Sequence, residues 1–286
     1  MKPSRFEYTA PTSLGAALQA LQDGGDDARV IAGGQSLIPM MNFRLAAPEK
    51  LIDLRRVQEL TGISQIEGGL IRIGAMTRHR AVETSDFLLQ HLPLLPAAMA
   101  HVAHVPIRNR GTIGGSLAHA DPAAEWPALC LALDATMVVA GPSGERLVPA
   151  ADFAQGVLTT ALEPGEILKE ILFPSWPAGR NWGFTEIARR RGDFAIVGVA
   201  CIVDRDAAGI VVAARIVVFG ASDTPVLSLE AAEAITGKRL DAALARAAGR
   251  AASAAIEPRS DLHASADYRS QLIEVLVGRA LQQVLP

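Results

Sequence analysis

The chain has 286 residues, half of them hydrophobic, which is too long for one small core and predicts two or three folded units. Its 27 basic and 30 acidic residues leave a formal charge of -3, so general attraction to nucleic acid is excluded. The two cysteines, Cys130 and Cys201, sit apart in apolar runs. They exclude a four-thiolate iron–sulfur cluster built from this chain alone and lend no support to a zinc site, and they fit a reducing cytoplasm. The N-terminal run "MKPSRFEYTAPTS" lacks the apolar core of a signal peptide, and no stretch reaches the roughly 18 apolar residues of a membrane span.

In chain order, "PTSLGAALQALQDGG" predicts a helix capped by Thr12 or Ser13, with Leu14, Leu18 and Leu21 on its apolar face and Gly24 at its end. "ARVIAGG" predicts a strand entering a tight turn, "SLIPMMNFRL" a helical turn opened by Ser36, and "KLIDLR" a second strand. These make a small α/β unit over residues 1–56. A second unit, residues 57–176, starts with a strand in "GGLIRIGAMT" and a short helix after Thr77. An apolar helical region follows from Leu88 to Val105, then a loop through "RNRGTIGGS". "EWPALCLALDATMVVAG" predicts a helix and a strand, with a hairpin turning at Gly141 to Gly144 and a further strand in "GEILKEILFP". Pro174 to Arg180 reads as a linker to a third unit, residues 177–286, with three antiparallel strands followed by three helices.

Two glycine-rich runs carry the chemistry. In "VIAGGQSL" a strand runs into Gly33 and Gly34, which lack a Cβ and are free to take positive φ, so successive amides can converge on one anion. Ser36 adds a hydroxyl at a helix start. "RGTIGGS" repeats the pattern with Gly111, Thr112, Gly114, Gly115 and Ser116. Neither run has the lysine of a P-loop or the G-x-G-x-x-G spacing of a dinucleotide fold, which disfavours an NTPase or an ordinary Rossmann domain. On glycine content alone both are also compatible with plain turns. His101 and His104 have metal-ligand spacing but no third ligand beside them, so structural or interface roles compete. His119 and Asp121 either approach a ligand or order their loop.

"AGGQSLIPMMNFRL", "RNRGTIGGSLAHADPAAEWPAL" and "FTEIARRRGDFAIVGVA" together resemble the FAD-binding medium subunit of molybdenum hydroxylases. That family includes the flavin subunits of carbon monoxide dehydrogenase and of nicotine, quinoline and caffeine hydroxylating enzymes, and the flavin domain of xanthine dehydrogenase. The resemblance implies an α+β fold: two α/β subdomains clamping FAD (the PCMH-type FAD-binding fold), then a C-terminal domain of three-stranded antiparallel sheet and helices. It implies cofactor contacts from Ile31, Ala32, Gly33, Gly34, Gln35, Ser36 and Leu37 on one side, and from Gly111, Thr112, Gly114, Gly115, Ser116 and His119 on the other. Glu125 falls where relatives often have an aspartate on the adenosine ribose, Leu168 falls near the adenine, and Glu186 replaces a lysine of carbon monoxide dehydrogenase relatives. Ser116 departs from the Asp or Asn of several relatives.

The resemblance further implies an electron relay without catalytic acid or base of its own. A large molybdopterin subunit would oxidise substrate, and a small subunit would carry two [2Fe–2S] clusters that feed FAD. A dimer of such heterotrimers in the cytoplasm is the implied assembly. A stand-alone FAD-dependent oxidoreductase and a flavin-free scaffold are the competing readings.

Overall fold

The computed structural model describes residues 2–285. Its first layer is a parallel sheet in the order β1 (Glu7–Thr9), β3 (Lys50–Asp53), β2 (Ala28–Ile31). Between them run α1 (Leu14–Gly24) and α2 (Leu37–Asn42). The Ser13 hydroxyl caps α1 by accepting from the Ala16 amide at 3.2 Å, and Leu14, Ala17 and Leu21 form its buried face. β1 has no signature in the sequence, because its three residues, Glu7, Tyr8 and Thr9, are largely exposed and too few to alternate.

The second part contains β4 (Ile63–Gln65), β5 (Ile71–Gly74), α3 (His79–Glu83), α4 (Asp86–His91), α5 (Leu94–Met99), α6 (Val105–Arg108), α7 (Ile113–His119) and α8 (Glu125–Ala132). It continues through β6 (Thr136–Gly141), β7 (Gly144–Pro149), α9 (Ala150–Phe153), the small ladder β8 (Ala154–Gly156) with β9 (Thr159–Thr160), and β10 (Ile167–Phe173). The five-stranded sheet, in the order β4-β5-β10-β6-β7, is antiparallel throughout. The apolar run from Leu88 to Val105 is three helices, not one. Pro93 closes the first and starts the second, and Ala103 at φ 46° breaks the path to the third.

The third part has β11 (Asn181–Ala188), β12 (Ala195–Arg205) and β13 (Val211–Phe219), all antiparallel, extended by the two-residue β14 (Val226–Leu227). α10 (Leu229–Ile235), α11 (Ala242–Ala255) and α12 (Ala266–Gln282) cover one face. β12 is buried along nine consecutive residues because both its faces are covered. Val197, Val199, Cys201 and Val203 pack with Ile273, Leu276 and Val277 of α12, while Ala200 and Ile202 join the core of the second part through Trp126 and Leu129. The third part is therefore bonded to the second by shared core, at roughly 1.5–3 kcal/mol for each fully buried large aliphatic side chain. Arg215 of β13 reinforces the join by donating to the carbonyls of Leu131 and Ala132 at the end of α8. Among the described residues no helix is long and apolar enough to cross a membrane.

Candidate functional site

β2 ends at Ile31, and the chain then turns through Ala32, Gly33, Gly34, Gln35 and Ser36 into α2. Gly34 takes φ 72°, as a glycine turn requires, whereas Gly33 does not have positive φ. The reason Gly33 is a glycine is space: a Cβ there would lie 2.4 Å from the Arg110 carbonyl oxygen and 2.8 Å from Gly111 Cα. The first glycine segment is thus pressed directly onto the second, although Gly33 and Gly111 are 78 positions apart in the chain.

The two segments differ in what they offer a ligand. No amide from Gly33 through Leu37 donates a hydrogen bond within the described residues, and the Ser36 hydroxyl makes no cap bond. Gln35 folds back, its side-chain amide donating to the Gly33 carbonyl at 3.0 Å. Unspent amide donors in a half-buried turn are free to bind an anion. The second segment is not the loop that the sequence predicts. Thr112 is the N-cap of α7, and Gly114 and Gly115 lie in its first turn with no positive φ. The amides of Ile113, Gly114, Gly115 and Ser116 are all taken, by the Thr77 carbonyl, the Ala75 carbonyl, the Thr112 hydroxyl and the Thr112 carbonyl. This side therefore offers the Thr112 amide and the hydroxyl protons of Thr112 and Ser116 rather than a row of amides. Gly115 keeps the wall low: a Cβ there would sit 2.8 Å from Thr112 Oγ1 and 3.3 Å from the Ala32 side chain.

Two residues absent from the sequence reading support this seam. Arg78 bridges to Thr112 in an isolated antiparallel pair, and its guanidinium donates to the Arg110 carbonyl on which Gly33 rests. Burial and the neighbouring Arg110 disfavour its charge, while Asp53 favours it. An anion beside it would relieve that cost. His79 is buried behind Gly111, its amide donating to the Gly111 carbonyl at 3.0 Å and its ring lying 5.9 Å from Trp126. Burial pushes the imidazole down to about 4, so it is neutral at physiological pH. Both residues lie in "TRHRAVE", whose only sequence signal was helix propensity.

The remaining sequence-predicted residues lie in the second and third parts. His119 ends α7, and the Asp121 carboxylate accepts from the Ala123 amide at 2.9 Å, so Asp121 orders the loop. Glu125 opens α8 and is buried, and Glu186 of β11 lies close enough that its charge, after burial itself, helps push the Glu125 carboxyl up to about 8. Leu168 is buried in β10 opposite Val139. His101 faces Glu186, with Nδ1 at 3.5 Å from Oε1, while the His104 ring packs against Gly192. No group of three His, Cys, Asp or Glu residues is placed to hold a metal ion among the described residues. A flavin dinucleotide fits these donors: its diphosphate matches the unspent amides of the first segment and the hydroxyls of the second.

Residues 4–176 match the family model described as the FAD binding domain in molybdopterin dehydrogenase, and residues 182–284 match the CO dehydrogenase flavoprotein C-terminal domain. Subunit alpha of the 6-hydroxypseudooxynicotine dehydrogenase complex of Paenarthrobacter nicotinovorans is 44% identical over 100% of this chain and 96% of its own length. The solved carbon monoxide dehydrogenase from Hydrogenophaga pseudoflava contains a chain that superposes with a TM-score of 0.95 at 42% identity, covering 99% of this chain and 98% of that one. Quinoline 2-oxidoreductase from Pseudomonas putida 86 gives 0.94 at 44% identity, covering 99% and 97%. With both family domains matched end to end, the chain belongs to the FAD-binding medium subunits of the carbon monoxide dehydrogenase and xanthine dehydrogenase family, the flavoprotein components of molybdenum hydroxylases.

Proposed function

We propose that this chain is the electron-transfer subunit of a heterotrimeric molybdenum hydroxylase, passing electrons from [2Fe–2S] clusters of a small partner subunit to an external acceptor. Substrate oxidation belongs to a large molybdopterin subunit, and two heterotrimers form the cytoplasmic complex. The observation that supports this reading best is the seam at Gly33 and Arg110, where unspent amides face a hydroxyl-bearing helix start.

In this reading residues 1–56 and 57–176 are the two FAD-binding subdomains, and 177–286 form the C-terminal domain. Ile31, Ala32, Gly33, Gly34, Gln35, Ser36 and Leu37 bind the diphosphate chiefly through main-chain N–H groups. At about 1.5–3 kcal/mol for each hydrogen bond to a charged group, a few such bonds hold a dinucleotide without a lysine. Gly111, Thr112, Gly114, Gly115 and Ser116 close the other side, with hydroxyl protons as donors. His119, Glu125, Leu168 and Glu186 line the remainder. The bound flavin supplies a carrier that exchanges electrons singly with iron–sulfur and in pairs with an acceptor. The protein groups position it and shield it; none serves as a general base.

The test is anaerobic reduction of the flavin by a heterocycle, starting with quinoline because of the likeness to quinoline 2-oxidoreductase. The isolated chain with FAD stays yellow, and adding the large and small subunits bleaches it. Rapid bleaching of the chain alone would overturn the relay and favour a stand-alone oxidoreductase.

A further inference from the structure

Residues 77–79 lead from β5 into α3 and run alongside the second glycine segment. The Thr77 carbonyl accepts from the Ile113 amide at 3.1 Å, Arg78 bridges to Thr112, and the His79 amide donates to the Gly111 carbonyl at 3.0 Å. The Gly111 amide donates to the Ile107 carbonyl at 2.7 Å. Gly111 therefore keeps no backbone donor for a ligand, and what it contributes to the site is its position. A Cβ on Gly111 would lie 3.0 Å from both Cε1 and Nδ1 of His79, and the Cβ that Gly33 lacks would lie 2.8 Å from Gly111 Cα. Gly111 thus meets the first glycine segment through its Cα, and the His79 ring where its own side chain would be.

Packing, not hydrogen bonding, holds the ring from behind. Neither His79 ring nitrogen has a hydrogen-bond partner among the described residues, and neither has the indole nitrogen of Trp126, whose ring centroid lies 5.9 Å away. Trp126 is fully buried on α8 in the core of the second part. Buried polar atoms without partners are unfavourable, and an aliphatic pair would avoid them. What the two rings supply instead is a stiff, flat contact. Burial, Arg108 and Arg78 disfavour a charge on the imidazole and the Thr112 carbonyl favours one; burial prevails, and the ring meets Gly111 uncharged at physiological pH. A close-packed interior passes small displacements on, so Trp126, His79, Gly111 and Gly33 form one line of contact from the core to the seam.

We propose that His79 is a positioning residue for the cofactor: backed by Trp126, its ring limits how far Gly111 can retreat from Gly33 and so fixes the gap between the two glycine segments that hold the flavin diphosphate. This rests on the flavin reading above. The first segment supplies unspent amides and the second the hydroxyls of Thr112 and Ser116, so a diphosphate held from both sides is sensitive to their separation. Without the ring, Gly111 relaxes into the vacated space and draws Thr112 with it, away from the amides that face it.

The test is a double-mutant cycle on the full chain. FAD affinity is read by fluorescence quenching, under conditions where circular dichroism shows each variant folded. His79→Ala should weaken FAD binding about tenfold, and Gly111→Ala, whose methyl group meets the ring, by a similar factor. In the double variant the methyl group occupies the space that the ring has left. Affinity should then return to within about threefold of the wild type instead of falling about a hundredfold. Melting of the flavin-free chain, followed alongside, separates positioning from packing: a merely structural ring lowers the melting temperature and leaves the affinity of the folded chain unchanged. Wild-type affinity in folded His79→Ala, or additive losses in the double variant, would overturn the positioning role, while weak binding by Gly33→Ala would leave the flavin reading standing. If His79→Ala does not fold, His79→Gln takes its place, with the same loss of about tenfold expected and wild-type affinity again overturning the role. A wild-type chain that binds no FAD would overturn the flavin reading and this assignment with it.

Discussion

Gly33 has no room for a methyl group, because the Arg110 carbonyl and Gly111 Cα occupy the position of its Cβ. Gly33→Ala therefore drives the two glycine segments apart, and flavin affinity should fall at least tenfold. Gly34→Val fails for a different reason. The left-handed backbone at φ 72° costs a non-glycine residue about 1–2 kcal/mol, and a β-branched side chain more. Circular dichroism should show both variants folded and equilibrium titration should show weak FAD binding; wild-type affinity in either would remove that residue from the diphosphate site. His79 gives a pH prediction. Its native imidazole is held at about 4, below its ordinary 6.5, so the folded state binds fewer protons than the unfolded state between those values. Stability is full above pH 6.5 and is lost as pH falls towards 4, by about 3 kcal/mol. Thermal melts from pH 7 to 4 should show this loss, and His79→Gln should flatten it; an unchanged acid slope in the variant would place the effect elsewhere.

At the level of elements, the start of α7 is the part that sequence reasoning described least well. "RGTIGGS" carries the glycine density of a loop, yet Thr112 caps a helix there by accepting from the Gly115 amide at 3.0 Å. Glycines in a helix are unfavourable by themselves. Here a Cβ on Gly114 would lie 2.5 Å from the Ala75 side chain, so close packing on the end of β5 selects glycine within the helix. That is long-range information, and no local pattern contains it. The same holds for β1 and β4, which exist because neighbouring strands pair with them. By contrast α1, β12, β13 and the last three helices were legible because their apolar periodicity and caps are local. Thr112→Val keeps the shape and removes the cap. It should lower stability by about 1 kcal/mol and the melting temperature by about 2–4 °C, with weaker FAD binding. A calorimetric scan that matches the wild type would show that the cap is not what holds α7 in place.

On the scale of the whole molecule, the site is a product of tertiary structure. The motifs named its residues in the sequence, but the contact of Gly33 with Arg110 and the guanidinium of Arg78 on the Arg110 carbonyl come from distant elements meeting. The third part shares its core with the second through β12 and Arg215, and the cleft beside Glu186 is lined by residues of both, His101 from one and Glu186 from the other. The central claim is that these two segments together hold a flavin dinucleotide. The most direct measurement is the flavin released by denaturing the purified protein after reconstitution, identified by chromatography and counted against protein. The account predicts FAD at close to one per chain, falling sharply in Gly33→Ala; FMN in its place, or a folded chain that retains no flavin, would contradict it.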